Sequence, residues 1–182
     1  MLAAGSSRRF GSDKRCYLLD GEPLLAHCLR AATEAELTVR VCCAPGETSL
    51  MQSLAPMPCE AIECNESDRG MGATLAQGIA ACADWDALLV VLGDMAWVRP
   101  ATYRTMFSAL ASAEIAQPCT GGRPGQPVGF RASFYPELMQ LHADTGGREL
   151  LQKYRDVLVS VEVGDPGIHR DLDRPPTANS VQ

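Results

Sequence analysis

The sequence predicts an α/β fold, with a mostly parallel sheet flanked by helices in one domain. Short apolar runs alternate with segments of helical periodicity along nearly the whole chain, which is typical of this class. The run ALLVVL at residues 87–92 is continuously apolar, as expected of a central strand buried on both faces. We assign residues 1–174 to the domain and residues 175–182 to a polar C-terminal tail.

The strands are predicted from apolar, β-branched runs bounded by turn residues. They fall at residues 1–4, 38–44, 59–64, 87–92, 115–118, 128–131 and 157–163. The first is only a stub, because buried strands typically have five or six residues.

The helices are predicted from apolar residues spaced three or four apart, in some cases with a proline in the first turn. They fall at residues 23–35, 47–54, 70–83, 100–112, 136–142 and 147–154.

Composition excludes several classes of function. The formal net charge is −6, which argues against a broad surface for nucleic acid or anionic membrane. No apolar run is long enough to span a bilayer, and no signal peptide is visible. The eight cysteines lack CxxC spacing, so we expect reduced thiols in a cytoplasmic protein, with zinc or disulfides as the alternative.

A phosphate-binding loop is predicted directly after the first strand, where the sequence reads LAAGSSRRFGSDK. Small residues let the backbone approach a ligand, and successive N–H groups form an anion-binding nest. Arg9 and Lys14 could converge on the same phosphates. The P-loop and dinucleotide fingerprints are both absent. A Gly/Ser turn with solvated cations fits the same composition.

Two further positions lie where a parallel sheet collects its ligands. Asp94 follows the strand at residues 87–92, and a carboxylate at that end of a strand can hold Mg²⁺. Its alternative role is to cap a turn. Gly70 begins a helix whose N–H groups are available to an anion. By contrast, His27, His142 and His169 are isolated, and we expect none to be catalytic.

These motifs resemble a known family. LAAGSSRRFGSDK is similar to the LAAGxSxRxGxxK signature of the MobA-like nucleotidyltransferases. The match continues in order at residues 20–25, Asn65, residues 70–71, 93–94, 125–130, 144–148 and 171–175. The resemblance implies a Rossmann-like sheet of the nucleotide-diphospho-sugar-transferase type.

Within the family, the chain most resembles the molybdenum-cofactor cytidylyltransferases, through Pro-Leu-Leu at residues 23–25 and G-x-P-V-x-F at residues 125–130. That branch transfers CMP from CTP to the phosphate of molybdopterin, uses Mg²⁺ and releases pyrophosphate. A molybdoenzyme or its maturation factor would then be a protein partner.

The resemblance assigns roles residue by residue. Lys14, Arg9 and Asp94 would be catalytic. Asp94 and Asp171 would bind the metal, with Asp173 a weaker candidate. The nucleotide would contact Leu2, Ala3, Ala4, Gly5, Ser6, Ser7, Asn65, Gly70 and Thr74.

The sequence also departs from the family. Gly72 and Ala73 stand where members often have serines, and Ala96 stands where a proline is common. Two alternatives therefore remain open. One is a guanylyl- or sugar-phosphate nucleotidyltransferase of the same fold, and the other is a non-catalytic protein that binds or matures the molybdenum cofactor.

Overall fold

A central twisted sheet organises the chain in the computed structural model, which describes residues 1–5, 10, 13–142 and 147–172, apart from the side chain of Arg148. In these residues the strands are β1 Leu18–Leu19, β2 Glu22–Pro23, β3 Val39–Cys43, β4 Cys59–Glu63, β5 Ala87–Val90, β6 Ile115–Thr120, β7 Arg123–Pro124, β8 Val128–Arg131 and β9 Leu158–Glu162. The predicted tail lies outside the described residues.

Six α-helices accompany these strands in the described part of the chain. They are α1 Leu24–Glu34, α2 Thr48–Leu54, α3 Met71–Ala81, α4 Pro100–Ala109, α5 Tyr135–Leu138 and α6 Gly147–Lys153. Single 3₁₀ turns occur at Lys14–Cys16, Ser67–Arg69, Ala132–Phe134 and Pro166–His169. None of these helices combines the length and apolar character needed to cross a bilayer.

The predicted helix at residues 136–142 is wrong in length. α5 ends at Leu138, because the chain then tightens into three-residue turns: Gln140 N–H donates to Glu137 O, and Leu141 N–H to Leu138 O. The strand predicted at residues 87–92 also ends earlier, at Val90. The strand predicted at residues 128–131 has the predicted bounds, and the other predicted elements are present with shifted ends.

The sheet runs in the order β4–β3–Leu2–β5–β8–β6–β9. Only β8 is antiparallel to its neighbours in this row, so the mostly parallel sheet is confirmed. β7 adds an antiparallel hairpin to the end of β6. The sequence analysis missed the separate β1–β2 ribbon, whose strands have two residues each.

The predicted stub of a first strand is confirmed, and it joins the two halves of the sheet. Leu2 forms parallel bridges to Cys42 on one side and to Leu92 on the other. Its N–H donates to Val91 O at 2.7 Å, and its carbonyl accepts from Gly93 N–H at 3.0 Å. These bonds fix the backbone of residues 2–4 at the carboxyl ends of β3 and β5.

Helices cover both faces of the sheet. On one face Leu25 and Leu29 of α1 pack against β3, beside α2 and α4. On the other face Leu75 and Ile79 of α3 pack against Leu88 of β5, together with α5 and α6. Because consecutive residues of β5 serve opposite faces, its apolar character is continuous, as the sequence predicted.

Candidate functional site

A cleft of about 680 Å³ opens at the carboxyl ends of the central strands. This is the edge where open α/β sheets bind ligands. Its walls are the Leu2 stub, the 3₁₀ turn at Lys14, the loop after β3, the start of α3 and the end of β5. The lining residues are Leu2, Ala3, Ala4, Gly5, Lys14, Arg15, Ala44, Pro45, Glu47, Ser67, Asp68, Arg69, Gly70, Met71, Thr74, Leu92, Gly93 and Asp94.

An ion pair between Lys14 and Asp94 lies in this cleft. Lys14 Nζ donates to Asp94 Oδ2 at 2.5 Å, and the two side chains are 20% and 19% exposed. The other carboxylate oxygen, Asp94 Oδ1, is buried and accepts no hydrogen bond from the described residues. A buried oxygen left in this state favours a ligand, because an unsatisfied acceptor destabilises the fold.

Close packing holds Asp94 beside the Leu2 stub. A Cβ on Gly93 would lie 3.1 Å from Leu2 O and 3.2 Å from Leu25 Cδ1, so only glycine fits there without displacement. Burial, together with the charge of Asp94, raises the pKa of the nearby Cys28 thiol to about 12. Cys28 is therefore a packing residue and not a nucleophile.

A second charged cluster, which the sequence analysis missed, connects Ala3 and Asp13, at the two ends of the predicted phosphate loop. Arg15 is only 8% exposed. It bonds both oxygens of Glu47 at 2.5 and 2.7 Å and both oxygens of Asp13 at 2.7 Å. Its Nη1 also donates to Ala3 O at 2.5 Å. Glu47 in turn accepts from Ala44 N–H at 2.8 Å, so Arg15 connects three backbone segments.

The positive charge of Arg15 is already paired with two carboxylates, those of Asp13 and Glu47. Burial opposes the charge of Arg15, but its hydrogen bonds with Asp13 and Glu47 outweigh burial and raise the pKa of the guanidinium. The hydrogen bond from Arg15 lowers the pKa of the Asp13 carboxyl. With two carboxylates bound to it, Arg15 serves as a brace and does not supply an available phosphate-binding cation.

The start of α3 faces the same cleft. Gly70 adopts φ 116°, a value that favours glycine, and it precedes the first helical residue, Met71. The early N–H groups of a helix have no intrahelical acceptor and can bind an anion. Thr74 lines the cleft, but its hydroxyl donates to Gly70 O at 3.3 Å. The hydroxyl therefore bonds back to the preceding turn of the helix.

The structure brings most predicted site residues together. Those that line the cleft are Leu2, Ala3, Ala4, Gly5, Lys14, Gly70, Thr74 and Asp94. Asn65 is exposed in the turn after β4 and does not contribute to the lining. Arg9, Ser6, Ser7 and Asp173 lie outside the described residues, and their roles stay predictions.

Asp171 lies beside the site without lining it. It is exposed, and the next residue, Leu172, donates its N–H to Asp94 O at 3.2 Å. The preceding turn is anchored by Asp165, which is 2% exposed and accepts from Thr102 Oγ1 at 2.6 Å and from Gly167 N–H at 2.9 Å. The metal-binding role of Asp171 stays a prediction. In the described ranges, no three or more His, Cys, Asp or Glu side chains are grouped so that they could hold a metal ion.

The histidines and cysteines lie in places that fit a role in the fold and not in catalysis. His27 bonds Leu19 O at 2.7 Å, and His169 bonds Arg123 O at 3.0 Å. None of the three histidines lines the cleft. All eight cysteines are unbridged, and six of them are buried. No histidine or disulfide thus competes with Lys14 and Asp94 as the centre of the site.

Similar folds occur among solved structures. Rv0371c from Mycobacterium tuberculosis H37Rv is 24% identical with a TM-score of 0.82, over 95% of this chain and 90% of that one. Its complex with manganese gives 22% identity and a TM-score of 0.74, over 89% and 85% of the two chains. At this identity the likeness establishes the shared fold.

Sequence relatives and a family model extend this result. The purine catabolism protein PucB of Bacillus subtilis (strain 168) is 27% identical, over the whole of this chain and 93% of PucB. The bifunctional protein GlmU of Rhodopseudomonas palustris (strain BisA53) is 32% identical over 136 residues, 71% of this chain. The chain spans only 30% of GlmU. The family model of the MobA-like NTP transferase domain matches residues 1–157, and the chain therefore belongs to the MobA-like NTP transferase family.

Proposed function

We propose that this nucleotidyltransferase transfers CMP from CTP to the phosphate of molybdopterin and releases pyrophosphate. The observation that carries the proposal is the Lys14–Asp94 pair in the cleft, with Asp94 Oδ1 buried and unpartnered among the described residues. The backbone of residues 2–5 and the start of α3 face the same space. Together they offer a cation, a carboxylate and backbone donors to one triphosphate.

The donor set suits Mg²⁺, which typically takes one or two carboxylates and completes its shell with water and substrate phosphates. Asp94 would hold the ion through Oδ1, and Asp171, whose neighbour bonds Asp94 O, would be the second carboxylate. Bound there, Mg²⁺ would neutralise charge on the α-phosphate and the leaving group. The manganese complex of Rv0371c supports a divalent ion in this fold.

The chain's own residues position and neutralise the nucleotide. A phosphate oxygen of the acceptor forms the new bond to the α-phosphorus while the bond to the bridging oxygen of the β-phosphate breaks. The electron pair of that bond leaves with pyrophosphate. Lys14 stabilises charge that develops on the α-phosphate, and Arg9 would act beside it. No general base is needed, because the acceptor phosphate is already anionic, which agrees with a cleft without histidine.

The choice of CTP and molybdopterin rests on the resemblance. The side chains that suggested it, Leu24, Leu25, Val128 and Phe130, are buried in the core and do not line the cleft. A guanylyl- or sugar-phosphate nucleotidyltransferase remains the alternative, and a non-catalytic cofactor protein is the second. A molybdoenzyme partner and a cytoplasmic location stay predictions.

A substrate panel tests the proposal. The four NTPs are each combined with Mg²⁺ and with molybdopterin, a sugar phosphate or no acceptor, and pyrophosphate release is measured, with Asp94→Asn as the inactive control. We expect release only with CTP and molybdopterin together. Equal rates with GTP would contradict the cytidylyl assignment, and activity confined to the sugar phosphate would contradict the acceptor. Saturable NTP binding without pyrophosphate from any pair would favour the non-catalytic alternative.

A further inference from the structure

The two outermost strands of the central sheet differ in how their outer sides are protected. Among the described strands, β4 pairs only with β3, and β9 pairs only with β6. The outer side of such a strand presents unpaired backbone groups, which charged side chains or proline normally blunt. β4 follows Pro58 and carries Glu60 and Glu63. The β9 segment at residues 157–163 reads VLVSVEV, with no proline and a single charge. We call the outer side of this segment the open edge.

The hydrogen bonds of β9 to β6 define which backbone groups face outwards at the open edge. Backbone groups alternate sides along a strand. Val163 N–H donates to Cys119 O of β6 at 3.0 Å, so the odd-numbered residues of the segment face β6. Ser160 and Glu162 therefore turn both their N–H and their C=O away from β6. These outward groups lie in the middle of the open edge, where another strand could bond them.

The side chains of the open edge leave apolar surface uncovered. Val157 and Val159 are 47% and 45% exposed. Val161 and Val163 follow Val159 on the same face of the strand, and both pack against the buried cluster beneath α4. One half of this valine face is thus covered within the chain, and the other half is open.

The single charge of the segment does not protect the open edge. Glu162 Oε1 accepts from Gly121 N–H at 3.2 Å, and Glu162 Oε2 accepts from the Cys119 thiol at 3.4 Å. These bonds direct the carboxylate towards the turn between β6 and β7 of its own chain. A further strand can therefore approach the open edge without leaving this charge unpaired.

We propose that the open edge pairs with the open edge of a second copy of this chain, antiparallel about a two-fold axis at Ser160. Homodimers typically have two-fold symmetry, and a two-fold axis normal to the sheet makes the paired strands antiparallel. In this register Ser160 exchanges both hydrogen bonds with Ser160 of the second copy. Glu162 N–H donates to Leu158 O of the second copy. The Leu158 N–H takes no part, because it donates to Tyr154 O at 3.1 Å.

A second copy is the occupant that fits because the segment is complementary to itself. The two-fold axis places Val159 opposite Val161 of the second copy, so the open half of the valine face meets the half that α4 covers. Cross-strand pairs of β-branched side chains stabilise a sheet. The chain's own tail fits less well, because residues 173–182 are mainly polar and contain adjacent prolines, which cannot donate to a ladder.

The open edge is small and lies away from the cleft. β8 and β6 separate β9 from β5, so the pairing leaves the cleft of each copy accessible. One strand pair buries less than the standard interface of about 1,600 Å², and we therefore expect a reversible dimer with a Kd in the micromolar range. The proposal is independent of the proposed function, and its test needs no substrate.

Sedimentation velocity of the full chain, from about 5 to about 500 µM, measures the dimer. Ser160→Pro removes an N–H that faces away from β6, so the ladder to β6 keeps its bonds. Val159→Lys places a charge on the open half of the valine face. Gln52→Lys adds the same charge at an exposed position of α2, beside β4, and is the matched control. Hydrogen exchange of the Ser160 and Glu162 amides at both ends of the concentration range tests the register.

We expect a concentration-dependent dimer whose Kd rises at least about tenfold in Ser160→Pro and in Val159→Lys and is unchanged in Gln52→Lys. The Ser160 and Glu162 amides should exchange at least about tenfold more slowly at the high concentration, whereas the Val161 amide, which faces β6, should not change. If Ser160→Pro does not fold, Val159→Lys decides the question alone, because its side chain is already half exposed.

A monomer at every concentration would overturn the proposal. A dimer that Val159→Lys leaves as tight as the parent, or that leaves the Ser160 and Glu162 amides unprotected, would place the contact elsewhere and would also overturn it. A variant ending at Leu172 completes the test. If the two amides were protected at every concentration in the full chain and lost that protection in this variant, the tail would be the occupant and the proposal would be wrong.

Discussion

Replacing Arg15 by Met should destabilise the protein and weaken nucleotide binding together. The substitution keeps an unbranched stem about as long as the aliphatic part of arginine and removes five hydrogen bonds to Asp13, Glu47 and Ala3 O. Breaking a buried ion pair typically costs about 3–5 kcal/mol. The carboxylates of Asp13 and Glu47 are 37% and 22% exposed, so water can partly replace the guanidinium. We therefore expect a loss of about 2–3 kcal/mol in the free energy of unfolding.

Thermal unfolding and nucleotide titration measure this effect. The expected fall in Tm is about 4–12 °C for a chain of this length. The Kd of the NTP should rise about tenfold, because Arg15 holds the carbonyl of Ala3 at the start of the phosphate loop. The Tm and the Kd of Arg15→Lys should lie between those of the parent and of Arg15→Met, since a lysine keeps the charge but lacks the planar fork that bonds two carboxylates. Arg155→Ala, at an 80% exposed arginine, is the matched control and should change neither quantity.

The result that would refute this reasoning is an Arg15→Met protein with Tm within about 1 °C of the parent and an unchanged Kd. It would mean that the loop is held by contacts other than the arginine cluster. A fall in Tm with an unchanged Kd would leave Arg15 a stabilising residue only and would refute its positioning role.

Three further predictions concern the metal site, the phosphate cradle and pH. Asp94→Asn should lower turnover at least about 100-fold and raise the Mg²⁺ concentration needed, with Asp171→Asn acting in the same direction more weakly; superimposable Mg²⁺ titrations would contradict the metal site. Lys14→Ala should lower kcat about 100-fold or more with a smaller change in NTP affinity, and a loss confined to affinity would contradict a role in the reacting state. Because the folded pKa of Asp13 lies below its ordinary 3.8, its stabilising contribution is present above that pH and is lost as the pH falls through the folded pKa. The Tm difference between the parent and Arg15→Met should therefore narrow from about pH 6 to about pH 3, and a constant difference would contradict the pairing.

Sequence patterns were sufficient for the central strands and for the main pair of the site. Lys14 and Asp94 are 80 positions apart, yet both follow strands whose carboxyl ends meet at one edge of a parallel sheet. The strand-end rule thus predicts that the two segments meet, and the resemblance to the family selects Lys14 and Asp94 within them. Asp20-Gly21, with φ of 51° and 85°, is a recognisable hairpin turn, but strands of two residues carry too little alternation to reveal β1 and β2.

The arginine cluster could not be predicted, because the choice of partners for Arg15 depends on how the loops fold and not on any spacing in the sequence. Arg15 directly follows Lys14 and has the same sign of charge, so the sequence gives no reason for one to pair with Asp94 and the other with Glu47. Glu47 lies 32 positions away, in the loop between β3 and α2, and only the folded loop brings it within reach. Asn65 rests on the resemblance alone, and its role stays a prediction. It follows β4 and does not line the cleft, whereas Ser67 and the residues after it do.

The charge balance of the cleft explains why a metal ion belongs to the proposed chemistry. Three cations of the described lining, Lys14, Arg15 and Arg69, face three anions, Glu47, Asp68 and Asp94. The described lining is therefore formally neutral, and Arg15 is already bound by two carboxylates. A triphosphate entering this space brings several negative charges into contact with Asp94. Lys14 and Arg69, which already pairs with Glu66, cannot balance them, so tight binding needs cations from outside this lining. Arg9 in the predicted phosphate loop would supply one, and a divalent ion on Asp94 Oδ1 would supply the other while turning that carboxylate from a repulsive neighbour into a ligand.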